Sequence, residues 1–236
     1  MNIPGTPVFK NGGYPVPNAA QLAWARRAFS IFVHFGTNTF TGREWGDGKA
    51  APSVFNPANL DARQWARAAK SAGAKGMVLT AKHHDGFCLW PSAFTDYSVK
   101  NSPWKGGRGD VVREFVDACR AEGLSPGVYL SPWDRHEPKY GDSPAYNAHY
   151  LNQLRELLSN YGELGEIWFD GANGEGADGK RQQYDWPRII ATVRRLQPQA
   201  VIFSDAGPDV RWVGNETGSA GAANWSMVDP TRVAVA

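Results

Sequence analysis

The chain has 236 residues, of which 42% are hydrophobic and 20% charged, and its formal net charge is +2. That balance is typical of a globular protein and excludes an intrinsically disordered chain. Lysines and arginines are spread along the sequence in no run longer than a pair. We therefore expect neither a nucleic-acid partner nor binding to a membrane surface.

The start of the chain and its cysteines bear on where the protein works. The first twenty residues are rich in proline and glycine, without the apolar core of a signal peptide, and no run approaches the length of a membrane span. We expect a cytoplasmic protein, with a mature secreted or periplasmic form as the alternative. Cys88 and Cys119 are too few for a disulfide framework and are expected to be buried thiols.

Short apolar runs alternate with amphipathic segments along the chain. Strands are predicted over residues 29–33, 76–80, 127–130, 166–169 and 200–203. Helices are predicted over 19–28 and 61–72, from Asp110 to Gly123, and from about Pro144 and Asp185. Strict alternation of strand and helix predicts a parallel sheet with right-handed crossovers.

Each predicted strand ends in polar residues, and in a (β/α) barrel those ends form the catalytic face. The sequence therefore predicts an α/β fold of the TIM-like (β/α) barrel type. A doubly wound sheet is the rival, but no glycine-rich phosphate loop follows any strand.

The number of strands falls short of a complete barrel. A complete barrel takes about 250 residues, whereas five strands are evident by Phe203 and residues 219–236 could hold one more. We expect a single catalytic domain over residues 1–236, C-terminally truncated to five or six parallel strands. The exposed sheet edges predict a homo-oligomer.

Asp170 is the central candidate for chemistry. It follows the apolar run at 166–169 and precedes Gly171, so it lies at the carboxyl end of a predicted buried strand. A helix N-cap or a solvated loop acid is the alternative. Glycoside hydrolysis needs two carboxylates, and Glu216 is the best partner for Asp170. Glu44 and Asp205 are weaker candidates, and Glu216 could itself be a solvated loop acid.

Three other kinds of site compete for the same residues. A metal site would use His34, His83, His84 and Asp170, but adjacent histidines on an extended stretch point opposite ways and no HxH or HExxH motif occurs. We expect no metal and no cofactor. Serine or cysteine nucleophilic chemistry lacks a GxSxG elbow. A sugar-binding module without catalysis stays open.

Tryptophan is abundant in the predicted loops. The chain has ten Trp residues, and six of them lie in predicted loops: Trp45, Trp90, Trp104, Trp133, Trp212 and Trp225. Loop tryptophans can simply cover a core, but several at one end of a scaffold would suit a pocket that stacks the apolar face of a sugar ring.

Several motifs then occur in an order that resembles one enzyme family. They are HFG at 34–36, EW at 44–45, KHHDGF at 82–87, GVYLS at 127–131 and WFDG at 168–171. This series is similar to the α-L-fucosidases of glycoside hydrolase family 29, and KHHDGF and WFDG are its most specific parts. The resemblance extends from Phe29 to Trp225.

The resemblance implies a retaining exo-acting α-L-fucosidase that releases terminal fucose from a fucosylated oligosaccharide or glycoconjugate, and transfucosylation is a further possibility. Asp170 matches the nucleophile, and Glu216 matches the acid/base residue of the subgroup that prefers α1,3/1,4 linkages. Five residues match the fucose-binding positions, and four more complete the expected substrate-binding set: His34, Glu44, Trp45, His83 and His84, with Tyr129, Trp133, Arg211 and Trp212.

Length is the point at which this chain departs from the family pattern. Family barrels normally continue beyond this terminus into a C-terminal β-domain, which we expect to be absent here. The alternative function is therefore a catalytically impaired, fucose-binding remnant of a truncated barrel.

Overall fold

The computed structural model describes residues 8–10, 14–176, 178–205 and 207–212. Its strands are β1 (Val8–Lys10), β2 (Tyr14–Val16), β3 (Ser30–Val33), β4 (Gly76–Lys82), β5 (Ser125–Leu130), β6 (Glu166–Trp168), β7 (Val201–Ser204) and β8 (Val210–Arg211). Its α-helices are α1 (Ala19–Arg27), α2 (Thr37–Thr41), α3 (Ala62–Ser71), α4 (Val111–Glu122), α5 (Ser143–Asn160) and α6 (Trp186–Leu196). None of these described helices is long and apolar enough to cross a membrane.

Strands β3 to β8 form one sheet in which every neighbouring pair is parallel and the spatial order equals the chain order. This arrangement is half of a TIM-like barrel, as the alternation of strands and helices predicts. The doubly wound alternative is wrong, because a doubly wound sheet reverses its strand order at a switch point. The hairpin of β1 and β2 is a separate two-stranded sheet.

The position of the sixth strand of this sheet is a correction to the sequence analysis, which expected no strand between Phe203 and residue 219. Val210 and Arg211 pair with Phe203 and Ser204 of β7. Asp209 fixes this turn, since its carboxylate accepts from Ile202 N at 2.7 Å and pairs with Arg194 at 2.5 Å. A two-residue strand held by such a side chain has no periodicity that a sequence pattern could reveal. The strand expected within 219–236 lies outside the described residues.

The four long helices begin at aspartate caps. Asp61, Asp110, Asp142 and Asp185 each accept a hydrogen bond from the backbone N–H three residues later. Helix starts at Asp61, Asp110 and Asp185 were predicted, and α5 starts at Ser143, one residue before the expected Pro144. Helix α2 and three 3-10 turns lie in segments predicted to be loops: Pro52–Val54, Val99–Asn101 and Trp104–Gly107.

The main core lies between the outer face of the sheet and helices α3 to α6. Both cysteines are fully buried there, as predicted. Trp90 and Trp104 are also core residues, only 1% and 4% exposed. For these two residues the alternative that loop tryptophans cover a core is confirmed, and neither presents a face on which a sugar could stack. Trp225 lies outside the described residues.

The inner face of the half-barrel carries a second aromatic layer. The Trp168 ring lies 5.4 Å from Phe32, 5.2 Å from Tyr129 and 5.1 Å from Phe203, between ring centroids. The sheet register explains this layer, because Tyr129 pairs with Trp168 and Trp168 pairs with Phe203. The layer forms a floor beneath the strand exits, where the candidate site residues lie.

Candidate active site

Asp170 lies two residues beyond the end of β6, and both of its carboxylate oxygens accept a hydrogen bond. The Tyr129 hydroxyl donates to Oδ2 at 2.8 Å, and Ala172 N donates to Oδ1 at 2.7 Å. Burial, and next the negative charge of Asp170, raise the pKa of Tyr129 far above its usual value, so the phenol stays a donor. Asp170 is not a helix cap, because the next described helix starts at Trp186. These contacts fix the carboxylate at the mouth of the half-barrel.

His84 lies beside this carboxylate, with its Nε2 at 4.0 Å from Asp170 Oδ2. Its Nδ1 is 2.7 Å from Ser131 Oγ, which donates to the Trp133 carbonyl at 2.7 Å. The Ser131 hydroxyl has one hydrogen, and it donates that hydrogen to the Trp133 carbonyl. It must therefore act as the acceptor towards His84, so His84 Nδ1 carries a hydrogen. Burial lowers the pKa of His84, opposed by the charge of Asp170. Neutral His84 therefore presents a bare Nε2, which suits a hydroxyl that donates to it.

His83 and His34 extend the cluster along the neighbouring strands. The His83 ring stacks on Tyr129 with centroids 5.7 Å apart, and the His34 ring lies 5.5 Å from His83. Burial, followed by the charges of His84 and His34, lowers the pKa of His83 to about 3. His83 is thus a neutral hydrogen-bonding group at any physiological pH.

Within the described ranges, no group of three or more His, Cys, Asp or Glu side chains has a geometry that could hold a metal ion. His83 and His84 share one patch although they are adjacent, because the strand has already ended at Lys82. Loop geometry replaces the strand alternation on which the sequence argument depended.

Glu44 and Trp45 come from the loop that follows α2, and both are exposed to solvent. The Trp45 ring lies 5.4 Å from Trp133 and 6.2 Å from His84. A cavity of about 180 Å³ opens beside these residues, with His34, Glu44 and His83 among its lining residues. The structure thus brings seven of the predicted site residues to one face: His34, Glu44, Trp45, His83, His84, Tyr129 and Trp133.

Glu216, the predicted partner of Asp170, lies outside the described residues. Asp205 follows β7 and packs against the residue after Asp170, because a Cβ on Gly171 would overlap the Asp205 carboxylate. Burial, and then the charge of Asp170, raise the pKa of Asp205. Arg211 and Trp212 lie at the end of β8, two strands from β6, and Trp212 is 37% exposed.

A buried polar framework behind the site was missed by sequence reasoning. Lys82 Nζ contacts Asp134 Oδ2 and Gln153 Oε1, each at 2.9 Å, and the lysine and aspartate are 0% and 3% exposed. Asp134 also accepts from the backbone N–H groups of His136 and Glu137. Its position after a strand had suggested chemistry, but burial makes it a structural residue that ties two strand exits together. Gly86, whose Cβ would clash with Asp134, is the one sequence signal of this close approach.

Comparison with known proteins agrees with this geometry. The family model described as "Alpha-L-fucosidase" matches residues 15–217. The chain belongs to the α-L-fucosidase family, glycoside hydrolase family 29. The matched range includes every predicted site residue, from His34 to Glu216.

Individual members of the α-L-fucosidase family are similar over most of this chain. "Alpha-L-fucosidase 1" of Arabidopsis thaliana is 53% identical over 94% of this chain and 43% of its own length. A glycoside hydrolase 29 family member from an unknown rumen bacterium is 52% identical, with a TM-score of 0.84 over 93% of this chain and 43% of that one. The Ruminococcus gnavus GH29 fucosidase in complex with fucose is 36% identical, with a TM-score of 0.79 over 96% of this chain and 52% of that one.

Those α-L-fucosidases are longer than this chain. It spans about two fifths of the length of two curated relatives that it matches, 42% of one and 43% of the other. The similarity therefore concerns the part of the catalytic domain that carries Asp170 and the histidine cluster.

Proposed function

We propose that the protein is a retaining, exo-acting α-L-fucosidase in which Asp170 is the nucleophile. The observation that carries this proposal is the fixed Asp170 carboxylate, held by Tyr129 and Ala172 at the mouth of the half-barrel beside His84. A nucleophile must keep one orientation towards the anomeric carbon, and two hydrogen bonds on opposite oxygens provide that orientation.

In the first step, ionised Asp170 attacks the anomeric carbon of fucose and displaces the glycosidic oxygen, which forms a covalent fucosyl-enzyme. The Tyr129 hydroxyl donates to Oδ2 of this carboxylate and can adjust that hydrogen bond as the charge is lost in the ester. Burial keeps this phenol protonated through the cycle.

In the second step, a water molecule releases fucose from the enzyme with its configuration retained. Glu216 protonates the leaving oxygen in the first step and deprotonates the incoming water in the second. This role comes from the resemblance of residues 207–216 to the α1,3/1,4-specific subgroup. A sugar hydroxyl in place of water would give transfucosylation by the same route.

Recognition of the fucose ring falls to the histidine cluster and its aromatic neighbours. Neutral His84 can accept from a ring hydroxyl at its bare Nε2, and His83 and His34 offer further hydrogen bonds to adjacent hydroxyls. Trp45, 42% exposed, can pack on the C6 methyl group, which is the apolar feature of fucose. We also propose a homo-oligomer, because the edge strand β3 of the described sheet carries exposed residues, and sedimentation would test it.

Fucose release from a Lewis-type trisaccharide, compared with an aryl α-fucoside, tests the function in the full-length protein. We expect release from the trisaccharide, a preference for it over the aryl substrate, and a loss of about 1,000-fold or more in Asp170→Ala. Asp117→Asn is the matched control, because that carboxylate is 60% exposed on α4, in the outer helical layer.

Azide sharpens the assignment of the nucleophile. It can enter the space left by the carboxylate in Asp170→Ala and attack from the same side, so azide should restore turnover and give a β-fucosyl azide. Parent protein that binds fucose but releases none from either substrate would instead support the fucose-binding remnant. Full activity in Asp170→Ala would refute the assignment of Asp170 as the nucleophile.

A further inference from the structure

Arg135 lies against two aromatic residues of the site, the exposed Trp45 and the half-buried Trp133. Its guanidinium carbon is 5.2 Å from the centroid of the Trp45 ring and 5.3 Å from that of Trp133. Both distances fall within the range of cation–π attraction. The two rings come from different strand exits, so Arg135 joins the loop after α2 to the loop after β5.

The same guanidinium holds the backbone of the exposed loop. Arg135 Nη1 donates to the carbonyl of Gly46 at 2.7 Å. Gly46 packs closely, since a Cβ there would lie 2.8 Å from Asn38 Oδ1 and 3.0 Å from Asp85 Cβ. Gly46 directly follows Glu44 and Trp45, so its position sets where those two side chains can reach.

A second contact seats this loop on the same segment. His136 Nδ1 lies 2.7 Å from the Gly48 carbonyl, to which it must donate. A Cβ on Gly48 would lie 2.6 Å from the backbone carbonyl of Arg135. Residues 46–48 therefore rest directly on residues 135–136.

The main chain of Arg135 reaches the histidine cluster as well. Its N–H donates to the carbonyl of His84 at 2.9 Å. Burial is the largest cause of the lowered pKa of His84, and the charge of Arg135 adds to it while Asp170 opposes it. Arg135, itself in the loop after β5, thus contacts two other loops that carry fucose-binding candidates, the loop of Trp45 and the loop of His84.

We propose that Arg135 is a positioning residue that seats the Glu44–Trp45 loop on the active site and holds Trp45 against Trp133. This inference rests on the function proposed above and extends it to a residue that acts through its neighbours. Arginine suits the role better than lysine, because its planar fork can donate to a carbonyl while its faces lie on aromatic rings. The role predicts an effect on substrate binding more than on the chemical step.

The test compares the parent with Arg135→Met, Arg135→Lys and Arg67→Met in the full-length protein. Methionine keeps the aliphatic stem and removes the charge and donors, whereas lysine keeps the charge and loses the fork. Arg67 is the matched control, since it is 53% exposed on α3 with a surface partner, Asp61, at 3.6 Å. Hydrogen–deuterium exchange of residues 42–50 reports on the loop, and KM and kcat report on catalysis.

We expect amides in residues 42–50 of Arg135→Met to exchange about 10-fold faster. KM should rise about 5- to 20-fold with kcat within about threefold of the parent. Arg135→Lys should fall between the parent and Arg135→Met, and Arg67→Met should match the parent in both measurements.

Unchanged exchange in Arg135→Met would overturn the inference, and so would faster exchange with an unchanged KM. If Arg135→Met does not fold, Arg135→Lys decides, and parent-like exchange and KM in that variant would overturn the role of the fork. A parent protein that releases no fucose would refute the proposed function instead, and exchange would still decide whether Arg135 seats the loop.

Discussion

The two loops that supply most of the fucose-binding candidates are held in opposite ways. The loop after β4 starts at the fully buried Lys82, and the residues that follow the histidines, from Asp85 to Trp90, are all buried. The loop after β3 presents His34, Glu44 and Trp45 to solvent. One loop belongs to the core, and the other lies on top of it.

The exposed loop is anchored by hydrogen bonds to its better-buried neighbours. The Thr37 hydroxyl donates to the buried Asp85, while the Gly46 and Gly48 carbonyls accept from Arg135 and His136. Every one of these partners belongs to the segments that follow β4 and β5. The exposed loop therefore takes its position from the buried framework, and we expect damage to the framework to cost stability while damage to the exposed loop costs affinity.

The largest effect on stability is expected when the buried charge of Lys82 is removed. Lys82→Met leaves the Asp134 carboxylate buried without its counter-ion, which should lower the free energy of unfolding by about 3–5 kcal/mol in chemical denaturation. Lys70→Met removes an exposed ion pair with Glu122 and should cost about 1 kcal/mol or less.

A double variant separates lost packing from stranded charge. In Lys82→Met/Asp134→Asn the amide oxygen can still accept from the backbone N–H groups of His136 and Glu137, while the unpaired charge is gone. We expect it to recover part of the stability. Equal losses in Lys82→Met and Lys70→Met would show that the buried framework is not what holds the β4 loop.

The contrast also explains which parts of the structure a sequence can predict. Strands β3 to β7 are short apolar runs, and helices α3 to α6 have an apolar periodicity and begin at aspartates. The existence and order of these elements could therefore be predicted. The histidines and Asp170 could be placed on one face because parallel strands share an exit edge. Loop partnerships could not be predicted, because Arg135 and Gly46 are 89 residues apart in sequence and no local pattern links them.

Tryptophan illustrates the same limit. Trp45, Trp90, Trp104 and Trp133 all lie in segments predicted to be loops, yet two are core residues and two lie at the site. Trp104 is buried because Gly109 leaves room for its ring, a contact of tertiary origin. Burial of a loop residue depends on what covers the loop, and a single sequence does not contain that information.

Protonation of His83 at low pH is expected to lower stability by an intermediate amount. His83 has a pKa near 6.5 when unfolded and about 3 when folded, so the unfolded state binds a proton first as the pH falls. Its contribution to stability is complete above pH 6.5 and is lost progressively between pH 6.5 and about 3. At about pH 5 this loss should amount to about 2 kcal/mol relative to neutral pH.

His83→Gln tests that assignment, because glutamine can still hydrogen-bond but does not titrate in this range. Thermal unfolding of the parent should weaken more steeply between neutral pH and about pH 5 than that of His83→Gln. His84, whose pKa is also lowered, should leave a residual dependence in the variant. Identical pH dependence in both proteins would mean that His83 is not the buried neutral group described above.

The smallest effect on stability is expected in the exposed loop, where the effect on binding should be clearest. Trp45 and Phe94 are aromatic side chains of nearly equal exposure, 42% and 43%, but only Trp45 lies at the site. Trp45→Ala and Phe94→Ala should each lower the free energy of unfolding by about 1 kcal/mol or less. Trp45→Ala alone should raise KM for a fucoside, because it removes the surface proposed to pack on the C6 methyl. A KM that rises equally in both variants would show that exposed aromatic area, rather than a position beside His84, controls binding. The proposed division between a stabilising framework and a binding loop would then be wrong for Trp45.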